Sequence, residues 1–351
     1  MKSIKKYNAY IFISTFTRNI IDIYSVVYLY QKGLNIKEII FIYAMCYFLG
    51  SIISYLSITI GNKIGYKYIL IASSIITSIT VYIINNTINI YLVSLFLSLS
   101  MFTYHPIKHI YGIKLLRHKK EIGNTLIFTY IATLLSSYIV INNIKITYLI
   151  ILSFISIIPA FLIDSNKHQK IIYSKINKNK LDYFIFDQFR LIFTLLESLY
   201  LYLIANNISY VGIFNIILTL SSVLSMYILA NKIELSKKYK YINIIYIIIL
   251  IIKLNINIKS ILLIIAIAEG ICIKANELVS NMNLYDNKIV NEGYIITSEL
   301  IICLTKSLIL SIIYFIPIDL KIIMYLLIIG IFILSFKYKK DTLTWVSFQY
   351  S

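Results

Sequence analysis

A chain of 351 residues in which 59% are hydrophobic and only 14% charged carries more apolar side chain than a water-soluble fold of that length can bury. The formal net charge of +18 would suggest nucleic acid in a soluble protein. Here the basic residues sit mostly in short loops between apolar runs, so they orient a membrane protein and no nucleic-acid partner is expected.

Apolar runs near the length of a membrane-spanning helix recur from one end of the chain to the other. Lys2, Lys5 and Lys6 precede the first run as in a signal peptide. That run contains Arg18 and Asp22, is too long and lacks a small-residue cleavage site, so it reads as a retained helix over about 8–30. Segments two to six are expected at about 38–60, 68–86, 89–113 (with Pro106), 123–141 and 146–163. A basic stretch, Asp164 to Lys180, follows, and then the pattern restarts. Segments seven to twelve fall at about 184–205, 208–230, 240–256, 259–281, 293–316 and 320–336. The expected architecture is all-α and polytopic: twelve transmembrane helices as two pseudo-symmetric six-helix bundles, 1–164 and 184–351, joined by a basic cytoplasmic linker at 165–183.

Most of the 33 Lys and Arg fall at the end holding the termini and the central linker. The opposite end has only Lys32, Lys37, Lys145, Lys253, Lys259 and Lys321, which puts both termini in the cytoplasm. The two parts echo each other: Tyr28-Leu29-Tyr30 closes segment one and Tyr200-Leu201-Tyr202 lies near the end of segment seven. Asn62-Lys63-Ile64 follows segment two and Asn231-Lys232-Ile233 follows segment eight. Such echoes fit an internal repeat.

Between segments two and three lies a polar break, Gly61-Asn62-Lys63-Ile64-Gly65-Tyr66-Lys67. It resembles the second half of the G-x-x-x-D-R-x-G-R-R/K loop of the major facilitator superfamily. Gly65 matches the motif glycine, Lys63 and Lys67 match basic positions, Asn62 replaces Asp, Ile58 replaces the first Gly and Tyr66 replaces a basic residue. Lys32-Gly33-Leu34-Asn35-Ile36-Lys37-Glu38-Ile39 is similar to that family's G-L-S-x-x-E-I-G turn, and Tyr104-His105-Pro106 to an aromatic-x-Pro in its fourth helix. The resemblance implies a gating loop at Asn62, Lys63, Gly65 and Lys67, weakened by Asn62 in place of Asp. It also implies a cavity lined by helices 1, 4, 7 and 10, with 3, 6, 9 and 12 facing lipid. The Gly-Pro motif of drug antiporters is missing from segment five.

Charges within the spans cluster accordingly: Arg18 and Asp22; His105, Lys108 and His109; Asp187, Arg190 and Glu197; Glu269, Lys274 and Glu277; Glu299 and Lys306. A mid-bilayer charge costs about 2.5–3.5 kcal/mol on insertion scales, so these residues are expected to face a cavity or a partner. Segments 2, 3, 5, 6, 8, 9 and 12 are read as free of internal charge, with Lys253 assigned to the loop end. Arg18 with Asp22, Asp187 with Arg190, and Lys274 with Glu277 are spaced to pair on one helix face. Arg190 with Glu197, and Glu299 with Lys306, lie seven apart, again on one face. Glu269 has no opposite charge at such spacing in its own helix, which makes it the first candidate to carry a proton, ahead of Asp22 and Glu299. Structural pairing and snorkelling are the competing readings for several of these groups. His105 and His109 lie four apart, but Pro106 stands where a zinc-protease helix has Glu, so a polar cavity role is favoured over metal.

Cys46, Cys272 and Cys303 all fall in apolar runs without metal spacing, and no P-loop occurs, so no disulfide, metal, cofactor or ATPase is expected. The sequence reads as a secondary transporter, not an enzyme. It would move a small polar or charged solute by alternating access as a monomer in the cytoplasmic membrane, with protons as candidate coupling ion. The alternatives are a lipid, amphiphile or drug exporter on the same fold, a membrane enzyme using His105 as base, and a non-transporting receptor.

Overall fold

A computed structural model describes the backbone of residues 2–115, 119–142, 146–163, 178–229, 239–284, 292–316 and 319–337. Side chains are described throughout these stretches except at 2–3, 22–23, 113–115, 119–124, 146–147, 149, 178–184, 186, 226–229, 239, 276–284, 292 and 334–337. Every regular element among the described residues is an α-helix. In chain order they are α1 (Lys2–Gln31), α2 (Ile36–Ile64), α3 (Tyr66–Asn86), α4 (Ile90–Leu115), α5 (Lys119–Ile141), α6 (Ile146–Ile155) and α7 (Ile157–Leu162). There follow α8 (Lys178–Ala205), α9 (Ile208–Leu229), α10 (Tyr239–Asn255), α11 (Lys259–Leu284), α12 (Glu292–Phe315) and α13 (Leu320–Lys337).

Within these helices six stretches are long and apolar enough to cross a membrane: Ile36–Ile64, Tyr66–Asn86, Ile90–Gly112, Asp187–Ala205, Ile208–Ser225 and Gly293–Phe315. Large apolar side chains such as Leu224, Ile264 and Phe315 remain exposed on the outside. A soluble protein rarely tolerates that surface, and lipid favours it. The chain is an integral membrane protein.

Two sequence expectations change here. The polar break at 61–67 is not a loop of seven residues. α2 runs through Asn62, Lys63 and Ile64, and only Gly65 separates it from α3. The 29 residues of α2 extend ~43 Å at 1.5 Å per residue, beyond a ~30 Å hydrocarbon core, so its polar last turn stays helical in water. Gly65 turns the chain at φ 109°, a region L side chains avoid, and its N–H bonds Gly61 O at 2.8 Å. Tyr66, in place of a basic residue, is buried. The second change is in segment six, which breaks at Ser156 into α6 and α7. Pro159 has no N–H to offer the carbonyl of Ile155, so the helix restarts. Pro106, by contrast, lies inside an α4 that continues to Leu115.

The turn into α2 is a capping box: Glu38 N donates to Asn35 Oδ1 at 2.9 Å and Asn35 N donates to Glu38 Oε2 at 2.8 Å. Lys32 donates to the carbonyls of Ile84 (2.6 Å) and Asn85, capping the C-terminal end of α3.

The packing repeats along the chain. α2 packs on α4, α3 on α4 and α6, and α1 on α5. In the second part α9 packs on α11, α10 on α11 and α13, and α8 on α12. The two sets meet mainly along α2–α12 and α5–α9, with α1 against α8. The approach of α9 to α11 depends on Gly270, where a Cβ would lie 2.4 Å from Leu218 O.

Candidate functional site

Each set of helices is pinned by a buried cation, and neither cation sits in the seam between the sets. Arg18 of α1 is 3% exposed and reaches α3 and α4. Its Nη1 donates to Ser100 O (2.6 Å) and Ser100 Oγ (3.2 Å). Its Nη2 donates to Ser73 O (3.2 Å), Ser73 Oγ (2.6 Å) and Thr77 Oγ1 (2.6 Å). The guanidinium lies 4.1 Å from the centre of the Tyr104 ring. Asp22 is in α1, and its side chain is outside the described residues.

The corresponding helices of the second set, α8, α10 and α11, are joined by Glu197, Lys253 and Glu269. Lys253 Nζ donates to both oxygens of Glu269, at 2.8 and 2.7 Å, and to Glu197. Lys253 and Glu269 are fully buried, and the ammonium lies 5.0 and 5.7 Å from the Phe193 and Phe214 ring centres. This corrects three expectations. Glu269 has a counter-ion, supplied by another helix. Lys253 is not a loop residue. Segment nine contributes an internal charge to the protein core instead of only facing lipid. Lys253 lies in the last turn of α10, and side chains lean toward a helix's N-terminus, which carries its ammonium inward.

Asp187 and Arg190 pair within α8 as the spacing suggests, with Nε and Nη2 donating to the two carboxylate oxygens at 2.8 and 3.2 Å. Arg18 and Arg190 each lie twelve residues before Tyr30 and Tyr202, whose rings meet at 6.2 Å. The sequence echo therefore places equivalent arginines on α1 and α8, and brings the echoing tyrosines face to edge across the seam.

The groups that do lie along the seam are Lys274, Lys306 and tyrosines. Lys306 of α12 lies 4.7 Å from the Tyr47 ring centre of α2, and the neighbouring Ser307 donates to Ala44 O at 2.9 Å. Nine residues separate Lys306 from the end of α12, a distance of ~14 Å that puts it near the middle of the candidate span Gly293–Phe315. Glu299, two turns along the same helix, is 9% exposed and makes no ion pair with the described residues. Glu299, Asp187 and Arg190 all act electrostatically on Lys306. On the other flank Lys274 of α11 donates to Tyr130 OH of α5 and lies 4.7 Å from that ring centre. Between them Tyr24 OH donates to Ser137 Oγ (3.1 Å) and accepts from Asn215 Nδ2 of α9 (3.3 Å). Tyr47 and Tyr130 are not among the candidate residues read from the sequence. Their signal was position: Tyr47 and Tyr130 lie on α2 and α5, the two helices of the first set that form the seam.

Glu277 is in α11 with its side chain outside the described residues. His105 and His109 are partly buried on α4, His105 edge-on to Tyr104 at 5.2 Å. Lys108 Nζ lies 5.7 Å from the Tyr104 ring centre, so Tyr104 has two cations against it. No group of three His, Cys, Asp or Glu able to hold a metal occurs among the described residues. In the α2–α3 turn, Lys63 is exposed and Lys67 lies 5.9 Å from the Phe161 ring centre. The echo at 231–233 lies outside the described residues.

At the end away from Lys2 and Lys337 the two sets touch on both flanks. Phe41 of α2 meets Tyr314 of α12 at 5.5 Å, and Ser209 of α9 donates to Ile141 O of α5 at 2.9 Å. That end is shut.

No protein-family model and no curated protein matches the sequence. Solved structures do match along almost the whole chain. The nucleoside transporter NupG superposes with a TM-score of 0.68 at 12% identity, over 98% of this chain and 100% of that one. A point mutant of the same transporter gives 0.67 at 13%, over 95% and 98%. A bacterial homologue of the iron transporter ferroportin, in an outward-facing state, gives 0.65 at 10%, over 96% and 98%. The chain shares its fold with these transporter structures. At these identities the likeness concerns the arrangement of helices, and the cargo named for each neighbour is that neighbour's own.

Proposed function

We propose that this protein is a secondary transporter that carries a small charged solute by alternating access. The observation that carries the reading is the seam: two helix sets with matching internal packing meet along α2–α12 and α5–α9, in a fold shared with transporters. Twelve spans form two six-helix bundles, 1–164 and 184–351, joined by 165–183, and the protein works as a monomer. The basic residues place both termini in the cytoplasm, so the shut end faces outward and the solute exchanges with the cell interior in this conformation.

The solute site is the mid-depth seam around Lys306, Glu299, Tyr47, Lys274 and Tyr130. Cations of one bundle laid on tyrosines of the other suit an anionic or zwitterionic organic solute, whose carboxylate replaces the ring contacts and draws the bundles together. Iron fits less well, because the described residues gather no metal-ligand cluster. Glu299, not Glu269, is the group we assign to proton coupling, since Glu299 makes no ion pair with the described residues whereas Glu269 shares Lys253 with Glu197.

A thermal-shift screen of small zwitterions and anions tests this on wild type, Lys306→Gln and Glu299→Gln in detergent. At least one such solute stabilises the wild type, and the shift falls by half or more in Lys306→Gln. Glu299→Gln without solute is as stable as the wild type or more so, because it removes a buried carboxylate that makes no ion pair with the described residues. Stabilisation by lipids or amphiphiles only, unchanged in both variants, overturns the site.

A further inference from the structure

The shut end carries a cavity that the transport reading does not use. It is an open recess of about 780 Å³, within the roughly 300–1,000 Å³ range of small-molecule sites, lined by Tyr30, Phe41, Tyr91, Tyr314, Lys37 and Glu38, among others. The rings are set against one another: Phe41 and Tyr91 stand perpendicular at 6.2 Å, and Phe41 and Tyr314 meet at 5.5 Å and 50°. Aromatic residues are common at a membrane interface, but a belt spreads them over the surface, each facing lipid. Here four converge on one space with a carboxylate at its edge. Glu38 uses Oε2 to accept from the Asn35 amide, which leaves Oε1 for a further contact.

We propose that this cavity binds a quaternary ammonium group. Ring faces attract a cation through their quadrupole, and a methylated ammonium suits them because it has no N–H to leave unsatisfied among apolar walls. Glu38 supplies the counter-charge. Lys37 on the same rim matches a phosphate, so the ammonium belongs either to a free choline-like cation or to a phosphocholine lipid headgroup. The cavity lies at the level of the interfacial turn between α1 and α2, within reach of both sources. Because Phe41 and Tyr314 come from opposite sides of the seam, an occupant contacts both helix sets at the shut end.

Binding is measured by thermal shift and calorimetry on the purified full chain, with choline, tetramethylammonium and phosphocholine against a sodium chloride control. Tyr91→Ala removes a largely exposed ring without touching the core, and Glu38→Gln retains an oxygen able to cap Asn35. Both ammonium probes bind saturably, and each variant weakens them about three- to tenfold. Phosphocholine binding tighter than choline, with the advantage lost in Lys37→Ala, supports the proposal with a lipid source. Equal affinities support it with a free cation as ligand. Absence of saturable binding, or affinities unchanged in both Tyr91→Ala and Glu38→Gln, overturns it.

Discussion

Lys253→Met destabilises the protein by about 3–5 kcal/mol, the largest loss expected from any single substitution in the chain. The substitution matches the lysine in length and is apolar, so packing changes little. What it removes is the ammonium that lies between Glu197 and Glu269, leaving two carboxylates facing each other where neither is open to solvent. The single substitutions Glu197→Gln and Glu269→Gln are much milder, because each leaves one carboxylate for one ammonium. The double Glu→Gln variant is severe again, since a fully buried lysine then has no counter-ion. Combining all three changes restores most of the stability, because no buried charge remains. Unfolding in detergent titrated with SDS measures the series. Equal effects for Lys253→Met and Glu269→Gln would show that the trio acts through packing and not through charge.

Arg18→Lys costs about 1.5–3 kcal/mol, the worth of hydrogen bonds to a charged group. Charge is conserved in this substitution, but geometry is not. The guanidinium fork addresses α4 through Nη1 and α3 through Nη2, from a plane laid on Tyr104. A lysine brings one compact ammonium that cannot reach both helices in the same way or stack on the ring. The same SDS titration reads the loss. A variant as stable as wild type would mean that α1, α3 and α4 are held by their apolar contacts alone.

Both pins show what the sequence could and could not reveal. Helix positions were legible because apolar runs of membrane length have no competing explanation: the run at 208–230 becomes Ile208–Leu229, and that at 259–281 begins at Lys259. Ends were less legible, because polar residues do not stop a helix once it has left the bilayer. That is why α2 continues through Asn62 and Lys63. Breaks need backbone chemistry to be read, and Pro159 was passed over inside an apolar run. Pairing inside one helix was legible, as Asp187 and Arg190 show at a spacing of three. Pairing between helices was not, because no spacing rule links Lys253 to Glu269. Lys253 was misplaced by its nearness to a segment end, although a lysine there reaches back into the core as readily as out to water. The cavity assignment suffered for the same reason. A charge census finds groups that need a partner, but only the packing tells whether the partner lies within a bundle, as for Arg18 and Glu269, or across the seam, as for Lys274 and Lys306.

If the two bundles move against each other, the distances between their ends change. Spin labels are placed on exposed residues at Asn86 and Asn255 at the shut end, and at Lys63 and Lys240 at the end holding the termini. Pulsed dipolar measurements in lipid nanodiscs then read both separations. Alternating access predicts two populations at each end that change in opposite senses, the Asn86–Asn255 pair lengthening as the Lys63–Lys240 pair shortens when a solute found by the screen is added. A single narrow distance at both ends, indifferent to solute, would contradict it.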